Sequence, residues 1–390
     1  MRLLHTGDWH IGRQIRGRSR AAEFEAVLDE LVRIAVDERV DAVLLAGDIH
    51  DGPMPTPDSD RLVLDTFLRL HDAGIPVVAI SGNHDSAARL AAWRGVLAAI
   101  GVTVVPRVGP PSTGTVVEVP SRERSEAAVV ACVPFVPERR FGDAAALFEA
   151  GETWYQAYAQ GMGDLMDVMA SSFRPDRVNV LMAHLFTDGA MVGGGEREAT
   201  IGIEYAVSPS RLPGTAGYVA LGHVHRPQRV AGAPSAARYA GSLLQLDFGE
   251  TGHGKSVAIV EAGAGAPARV REVPLSAGRR LVDVRGTLDE VAAKAGEVGD
   301  AWLRVFVRTE GPVVGMADLV REHLPNAVAV HAEYEHEDEP LDDRPALASL
   351  GPREQFVRYH HDHHGAPPGD DLLGAFDEVL ELVQAEEPTG

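Results

Sequence analysis

The sequence predicts an α/β fold, more specifically an α+β-like arrangement in which mixed β-sheets are flanked by helices. Three observations predict it. Short apolar runs alternate with amphipathic helical patterns over the first 80 residues, strand-like runs dominate from about residue 102, and a smaller βαβαβ-like rhythm occupies residues 281–334. We therefore expect a large unit at residues 1–280 and a small α/β unit at residues 281–336.

The first 80 residues carry a βαβ pattern. Apolar side chains such as Phe24, Leu28 and Leu31 recur at helical spacing between short runs of strand-forming residues. Such alternation favours parallel strands joined by helices that cover the sheet. The predicted elements in chain order are strand 2–5, helix 21–36, strand 41–46, helix 58–73 and strand 77–80.

From about residue 102 the pattern becomes rich in strands. Glycine and proline separate several of the apolar runs, as is typical of turns between strands. A mixed sheet is expected to follow the parallel one, and the large unit is expected to end near residue 280. The predicted strands are 102–105, 115–119, 127–133, 178–183, 218–221, 238–248 and 256–260.

The C-terminal third is predicted to contain three parts. Residues 281–336 alternate strand and helix patterns, and residues 337–351 are predicted to be an acidic linker, since seven acids lie between residues 333 and 343. Residues 352–390 are predicted to form helices. Their apolar stripe predicts either docking onto the rest of the chain or contact with a partner, and the pattern does not separate the two. The stripe consists of Leu372, Phe376, Val379, Leu380 and Val383.

Composition narrows the class of protein. The 390 residues are 45% hydrophobic and 24% charged, which is typical of a globular protein and excludes a fibrous or disordered chain. The apolar runs, such as residues 127–133, are far shorter than the roughly 18 residues that a membrane-spanning helix needs. Polar residues interrupt the N-terminal segment before a signal-peptide core could form, so a cytoplasmic location is expected.

Cysteine content and charge add two constraints. Cys132 is the single cysteine and lies in an apolar run, so an intrachain disulfide is excluded and a buried thiol is expected. The net charge of −21 argues at first against a polyanionic partner, but residues 281–390 hold 24 acids against 8 bases and so carry most of it. Four arginines between residues 13 and 20 form either a basic rim that guides phosphates or an ordinary solvated loop.

Five segments at predicted strand ends carry side chains that bind metals. Ligands of open α/β sheets bind beyond the carboxyl ends of strands, so these turns are expected to meet at one edge. Residues two apart in extended chain point to the same side, which lets Asp8 act with His10 and His223 with His225. The segments are Asp8-Trp9-His10, Gly47-Asp48-Ile49-His50-Asp51, Gly82-Asn83-His84-Asp85, Ala183-His184 and Gly222-His223-Val224-His225.

These residue types indicate a site for two divalent ions. Carboxylate and amide oxygens with imidazole nitrogens suit manganese, iron or zinc. The candidates are too many for one four-coordinate ion but suit two ions about 3.5–4 Å apart, a spacing used in phosphoester hydrolysis. Asp48 is the natural bridge between them, because it is a lone acid directly after a strand. The candidate ligands are Asp8, His10, Asp48, Asn83, His184, His223 and His225.

Segment by segment, this pattern resembles that of the calcineurin-like metallophosphoesterases, whose fold is a sandwich of mixed sheets. Within that superfamily the chain is similar to the bacterial nucleases that work with an SbcC-type ATPase. The opening segment of residues 8–13, the late segments of residues 239–242 and 247–250, the small α/β unit and the C-terminal helices carry this resemblance. The small unit corresponds to the capping domain of these nucleases.

The resemblance implies roles for individual residues. Asp8, His10, Asp48 and His225 would hold one ion, and Asp48, Asn83, His184 and His223 the other, with manganese as the expected metal. His84 would be the catalytic histidine that stabilises the transition state and protonates the leaving oxygen, oriented by Asp85. An imidazole suits that task, since its unperturbed pKa lies near 6.5.

The resemblance also implies a function and partners. The implied activity is that of a metal-dependent exonuclease and endonuclease on double- and single-stranded DNA, in DNA end and hairpin processing, repair and recombination. The implied partners are an SbcC-type ATPase, bound through residues 352–390, and a second copy of the chain within a heterotetramer. The alternatives are a small-molecule phosphodiesterase or phosphatase with the same metal core, and a non-catalytic adaptor that only binds the ATPase.

Overall fold

The computed structural model describes residues 1–137, 153–194, 196, 206–311, 313–334, 350–364 and 366–386. In these ranges the chain forms two six-stranded sheets, a three-stranded sheet and a two-stranded sheet, with helices on the outside. The helices among these residues include none that is both long and apolar enough to cross a membrane.

The first six-stranded sheet unites strands from both ends of the large unit. Four of its strands run parallel. The strand beside them pairs antiparallel both with the first of these four and with the strand at the edge of the sheet. The connections between the parallel strands are α1 (Ala21–Asp37), α2 (Pro57–Asp72) and α3 (Ala87–Ala99). In spatial order the strands are β14 (Arg269–Pro274), β13 (Ser256–Glu261), β1 (Arg2–Thr6), β2 (Ala42–Leu45), β3 (Val77–Ile80) and β4 (Val102–Val105).

The second six-stranded sheet has four parallel strands between two antiparallel edges. The helix α4 (Thr153–Ala170) lies on the outer side of this sheet, and β8 (Phe186–Thr187) pairs with β9 (Ala206–Val207). In spatial order the strands are β11 (Gln228–Arg229), β12 (Ala237–Tyr239), β10 (Tyr218–Gly222), β7 (Val178–His184), β6 (Ala127–Val133) and β5 (Val116–Pro120).

Apolar side chains hold the two sheets face to face. Leu44 and Val78 of the first sheet share one buried cluster with Cys132 and Met182 of the second. Separate buried clusters join α1 and α2 to the outer face of the first sheet, and α4 to the outer face of the second. The result is a four-layered sandwich in which the ends of both parallel sets of strands lie at one edge.

The C-terminal third forms a smaller sheet covered by three helices, followed by a pair of helices. The strands β15 (Leu281–Gly286), β16 (Trp302–Arg308) and β17 (Ala327–Glu333) pair in parallel. They pack against α5 (Leu288–Ala293), α6 (Ala295–Val298) and α7 (Met316–His323) around a cluster of their own. The last two helices are α8 (Pro352–His364) and α9 (Asp370–Glu386), whose Phe356 and Phe376 rings stack 4.2 Å apart.

Most predicted elements are present within a few residues of their expected bounds, and the fold class is confirmed. Residues 238–248 differ, because only Ala237–Tyr239 is a strand and the chain then turns. Beyond Ala240 the backbone makes hydrogen bonds outside the sheet: the Ser242 N–H donates to the His225 carbonyl, and the Leu246 N–H donates to the Glu250 carboxylate. Of the predicted acidic linker, residues 337–349 lie outside the described residues.

Candidate metal centre

The carboxyl ends of five parallel strands deliver the candidate ligands. Asp8 and His10 follow β1, Asp48 follows β2, and Asn83 and His84 follow β3. From the second sheet, His184 is the last residue of β7, and His223 and His225 follow β10. The two sheets present these ends side by side, so residues more than 200 positions apart in the sequence meet in one cluster.

Asp48 lies at the centre of the cluster. Its Oδ2 is 3.4 Å from His10 Nε2 and 3.5 Å from His184 Nε2. Its Oδ1 accepts a hydrogen bond from the backbone N–H of His84 at 2.8 Å. One oxygen of Asp48 thus lies between two imidazoles that approach from different strands, which is the position a bridging carboxylate needs.

Three side chains converge on one side of Asp48. Asn83 Oδ1 lies 2.9 Å from both His184 Nε2 and His223 Nδ1, and these two nitrogens are 3.2 Å apart. The Nδ1–H of His184 donates to the Ala46 carbonyl at 2.8 Å, so Nε2 faces the cluster and is the nitrogen that carries the lone pair whenever the ring is neutral.

Asp8 and the histidines 10, 84 and 225 complete the cluster. Asp8 Oδ1 accepts from the backbone N–H of His223 at 2.8 Å and lies 3.9 Å from His184 Nδ1. The His10 ring is 4.6 Å from the His84 ring and 4.8 Å from the His225 ring, measured between centroids. The structure therefore brings all seven sequence-predicted ligands together.

Burial and unsatisfied polar atoms indicate that a cation belongs here. Asp8 and His184 are 0% exposed, and the side chains of His10, Asp48 and His225 are also buried. Asp8 Oδ2 and His10 Nε2 are buried without a hydrogen-bond partner, which is costly unless a ligand binds them. The two triads His10–Asp48–His84 and Asp8–Asp48–His184 each place three potential ligand atoms within 4.8 Å of one another. The residues present fit divalent metals.

The site concentrates negative charge that a cation would compensate. Burial raises the pKa of Asp8 to about 6, despite the neighbouring His184 and His225. Burial also acts to raise the pKa of Asp48, but His184 and His10 hold it well below its usual value. The nearby Asp48 and Asp8 raise the pKa of His184 to about 9 against the effect of burial. The buried carboxylates of Asp8 and Asp48 thus stabilise positive charge in the cluster.

The backbone at the site is strained. Asp8, His10, Asp48 and His223 adopt positive φ angles of 49°, 47°, 51° and 106°. L-residues rarely populate this region, and at functional sites such strain persists where the surrounding structure enforces it. Seven residues other than glycine have a positive φ in the described part of the chain, and these four are the majority. The left-handed turns aim the ligands inward.

His84 and Asp85 lie in the turn after β3, beside the cluster. The Nδ1–H of His84 donates to the Asp51 carbonyl at 2.8 Å, and this contact orients the ring. The Asp85 carboxylate accepts from the backbone N–H groups of Gly82, Ile49 and His50 at 2.9–3.2 Å. These bonds tie the turn after β2 to the turn after β3, so Asp85 is placed to hold two ligand-bearing loops in register.

Sequence reasoning missed a buried layer behind the histidines. His225 Nδ1 lies 3.0 Å from Glu250 Oε1, and Glu196 Oε1 accepts the backbone N–H of His225 at 3.0 Å. Asp51, an acid of the predicted segment of residues 47–51, is half-buried in front of this layer, with Oδ1 3.3 Å from His10 Nδ1. The late segment of residues 247–250 carries part of the family resemblance, and its acid is the one sequence signal for this layer.

The arginines between residues 13 and 20 do not all face solvent. Arg20 is buried in an ion pair with Glu23 and has a structural role. Arg13 lies 3.3 Å from Asp51, and Arg16 lies 3.9 Å from Asp247. Arg13, Arg16 and the exposed Arg18 are the arginines of this segment that could meet a phosphate.

Comparison with known proteins agrees with this geometry. The family model described as "Calcineurin-like phosphoesterase" matches residues 1–227. The chain belongs to the calcineurin-like phosphoesterase family. That match covers the strand ends that carry all seven candidate ligands.

Curated relatives span most of the chain. The SbcD subunit of the nuclease SbcCD from Bacillus subtilis (strain 168) is 32% identical over 99% of this chain and 100% of its own length. The SbcD proteins of Rhodobacter capsulatus and Escherichia coli (strain K12) are 33% and 31% identical, over 81% and 80% of this chain and 80% and 78% of their own lengths. These relatives confirm the resemblance to SbcD and the prediction of a metal-dependent nuclease of the phosphoesterase type.

Proposed function

We propose that this chain is the metal-dependent nuclease subunit of an SbcCD-type complex. It hydrolyses phosphodiester bonds of DNA as an exonuclease and endonuclease, in DNA end and hairpin processing, repair and recombination. The observation that carries the proposal is the buried cluster in which Asp48 Oδ2 lies between His10 and His184, in a chain that matches nuclease subunits over 80–99% of its length.

Two divalent ions would bind in this cluster. Asp8, His10, Asp48 and His225 hold one ion, and Asp48, Asn83, His184 and His223 hold the other. When bound, the ions would supply a nucleophile from water at neutral pH and neutralise charge on the scissile phosphate. We propose manganese, since mixed oxygen and imidazole ligands suit it.

His84 would act on the leaving group. Its Nδ1–H donates to the Asp51 carbonyl, so the proton that His84 gains or loses during turnover belongs to Nε2. Such a histidine can protonate the departing sugar oxygen. One of its ring nitrogens also lies within 4.8 Å of potential ligand atoms of His10 and Asp48, so the spacing alone is compatible with a third ligand. Counting bound metals in a variant without this ring distinguishes the two roles.

Asp85 would support catalysis indirectly. We propose that it is a positioning residue, because its carboxylate binds backbone N–H groups on both sides of the Asp48 and His84 loops. It keeps the spacing between the bridging acid and the catalytic histidine.

The proposed domains and partners are based on the relatives and on the exposed apolar surface of α9. We assign residues 1–280 to the nuclease domain, 281–336 to the capping domain, 337–351 to an acidic linker and 352–390 to binding an SbcC-type ATPase. On α9, Leu372 and Val379 are 46% and 58% exposed, which leaves apolar surface for such a partner. A homodimer within a heterotetramer and a cytoplasmic location complete the proposal.

Cleavage assays test the activity. The purified chain should cut linear duplex, hairpin-ended and single-stranded DNA when manganese is added after chelation, and an Asp48→Asn variant should be inactive. Cleavage is measured with manganese and with other divalent metals, each in the presence and in the absence of the ATPase subunit. Turnover of a chromogenic phosphodiester without any cleavage of DNA would instead favour the small-molecule phosphodiesterase. Metal binding with no turnover of either substrate would favour the adaptor.

A further inference from the structure

His225 is held at three points by buried side chains. Its backbone N–H donates to Glu196 Oε1 at 3.0 Å, and its backbone carbonyl accepts from Lys255 Nζ at 2.9 Å. Its ring Nδ1 lies 3.0 Å from Glu250 Oε1. For comparison, the Nδ1 of His184 meets a neutral backbone carbonyl. His225 therefore has a charged hydrogen-bond partner behind its ring, whereas His184 has a neutral one.

Glu250 and Lys255 form a closed buried pair. Glu250 is 0% exposed, and its Oε2 accepts from Lys255 Nζ at 2.7 Å and from the Leu246 N–H at 3.0 Å. Lys255 Nζ also donates to Ser242 Oγ at 2.7 Å. With the His225 carbonyl, the three donors of the ammonium group each have an acceptor. The ammonium group and Glu250 Oε2 therefore have all their hydrogen-bond partners in this pair and its surroundings. The other oxygen, Glu250 Oε1, faces the His225 ring.

The charge state of Glu250 fixes the tautomer of His225. Glu250 Oε2 lies 2.7 Å from the Lys255 ammonium group and also accepts the Leu246 N–H, so Glu250 is the carboxylate partner of a buried ion pair. A carboxylate only accepts hydrogen bonds, so Nδ1 of His225 must carry the proton. Nε2 is then the ring nitrogen with a lone pair. Carboxylates placed behind a ligating histidine in this way also raise its basicity.

We infer that Glu250 and Lys255 are a positioning pair that fixes the tautomer and orientation of His225 and thereby sets the affinity of one of the two metal positions. This inference rests on the proposed function, since it assumes that the cluster binds two divalent ions. Lys255 contributes by offsetting the charge of Glu250 and by donating to the His225 carbonyl, so that the carboxylate and the ring are held at a fixed position relative to each other.

The test measures manganese binding to the full-length chain. The concentration of free manganese in the titration is obtained from its EPR signal. Glu250→Gln places amide N–H groups against either the His225 Nδ1–H or the Lys255 ammonium. We expect it to weaken one of the two manganese positions by about 10- to 100-fold and to leave the other unchanged.

Two further variants separate positioning from general stability. Glu30→Gln alters another buried carboxylate, which accepts from Ser276 and Ala277, and should lower the melting temperature without changing either manganese affinity. The double variant Glu250→Gln with Lys255→Met removes the conflict with the ammonium group, because the amide oxygen can then accept from Nδ1 and only the Leu246 N–H faces the amide nitrogen. It should bind manganese more tightly than Glu250→Gln alone. If the single variant does not fold, the double variant is compared with the wild-type chain and should be weaker at one manganese position only.

The outcomes are distinguishable. If the wild-type chain binds no manganese, the proposed function fails. If the wild-type chain binds two ions and Glu250→Gln binds them with the same affinities, the inference about Glu250 and Lys255 is overturned while the proposed function stands. A lower melting temperature with unchanged affinities would likewise reduce the pair to a structural role.

Discussion

Individual side chains in this site divide their polar atoms between structure and chemistry. Asp8 uses Oδ1 to accept the His223 N–H and keeps Oδ2 for the cluster, and Asp48 uses Oδ1 for the His84 N–H and keeps Oδ2 between two imidazoles. His184 donates from Nδ1 to a carbonyl and presents Nε2. Each ligand is therefore oriented before any ion binds, which lowers the entropic cost of binding.

His84 gives the sharpest prediction at this scale. His84→Ala removes the group that would protonate the leaving oxygen, and general acid assistance is typically worth about 10²- to 10⁴-fold in rate. We expect DNA cleavage to fall by that factor while two metals per chain remain bound, as measured by elemental analysis after gel filtration. Loss of one metal would show instead that His84 is a ligand, and undiminished cleavage would exclude a catalytic role.

At the scale of elements, the turns after the strands determine the site. The loops after β2 and β3 approach so closely that a Cβ on Gly82 would overlap Oδ1 of Asp48. The Asp85 carboxylate joins the same two loops through three backbone N–H groups. The position of Asp48 therefore depends on a residue that has no side chain.

Gly82→Ala tests this dependence without removing any ligand. The added methyl group must displace Asp48, so we expect manganese affinity and DNA cleavage to fall by at least about 10-fold, in the range seen when the support of a ligand is lost. Gly95→Ala is the matched control, because a Cβ there meets open space in α3 and should stabilise the chain by about 0.4–1 kcal/mol. Equal metal affinity in both variants would contradict the prediction.

Local pattern predicts the elements that have a clear period and misses those that do not. The buried strands β1, β2 and β3 are evident as apolar runs. The helix α3 was missed, since only Leu90 and Leu97 are buried in it, and β14 was missed because it is a largely exposed edge strand. The turn after β12 was mistaken for strand, because its leucines 243, 244 and 246 are as buried as those of a strand but pack into the cluster on the outer face of the first sheet.

At the scale of the whole molecule, the sandwich joins two half-sites. The first sheet supplies Asp8, His10, Asp48 and Asn83, and the second supplies His184, His223 and His225. The sequence could predict these residues because each follows a strand. It could not predict that Glu250 pairs with Lys255 behind His225, because this contact depends on the path of the chain between residues 247 and 255. Nor could it predict which nitrogen of each histidine faces the cluster.

Assembly with an ATPase is predicted to depend on α9. Changing Leu372 and Val379 together to Asp places charge on its exposed apolar surface, so co-purification with the SbcC-type ATPase should be lost while metal content stays the same. Val314→Asp, at a 99% exposed position outside these helices, should have no effect. Truncation after residue 340 should reproduce the loss. The assignment would be contradicted if the Leu372 and Val379 double variant and the truncated chain both still co-purified with the ATPase.

The insertion of β10 between β7 and β12 has a consequence for how the protein is made. Because β10 delivers His223 and His225, a chain that is still emerging from the ribosome holds at most an incomplete set of ligands until more than half of it has been synthesised. Contacts of such long sequence separation form late in folding. Hydrolytic competence should therefore arise abruptly, and a chain that terminates before residue 223 should be unable to cleave DNA.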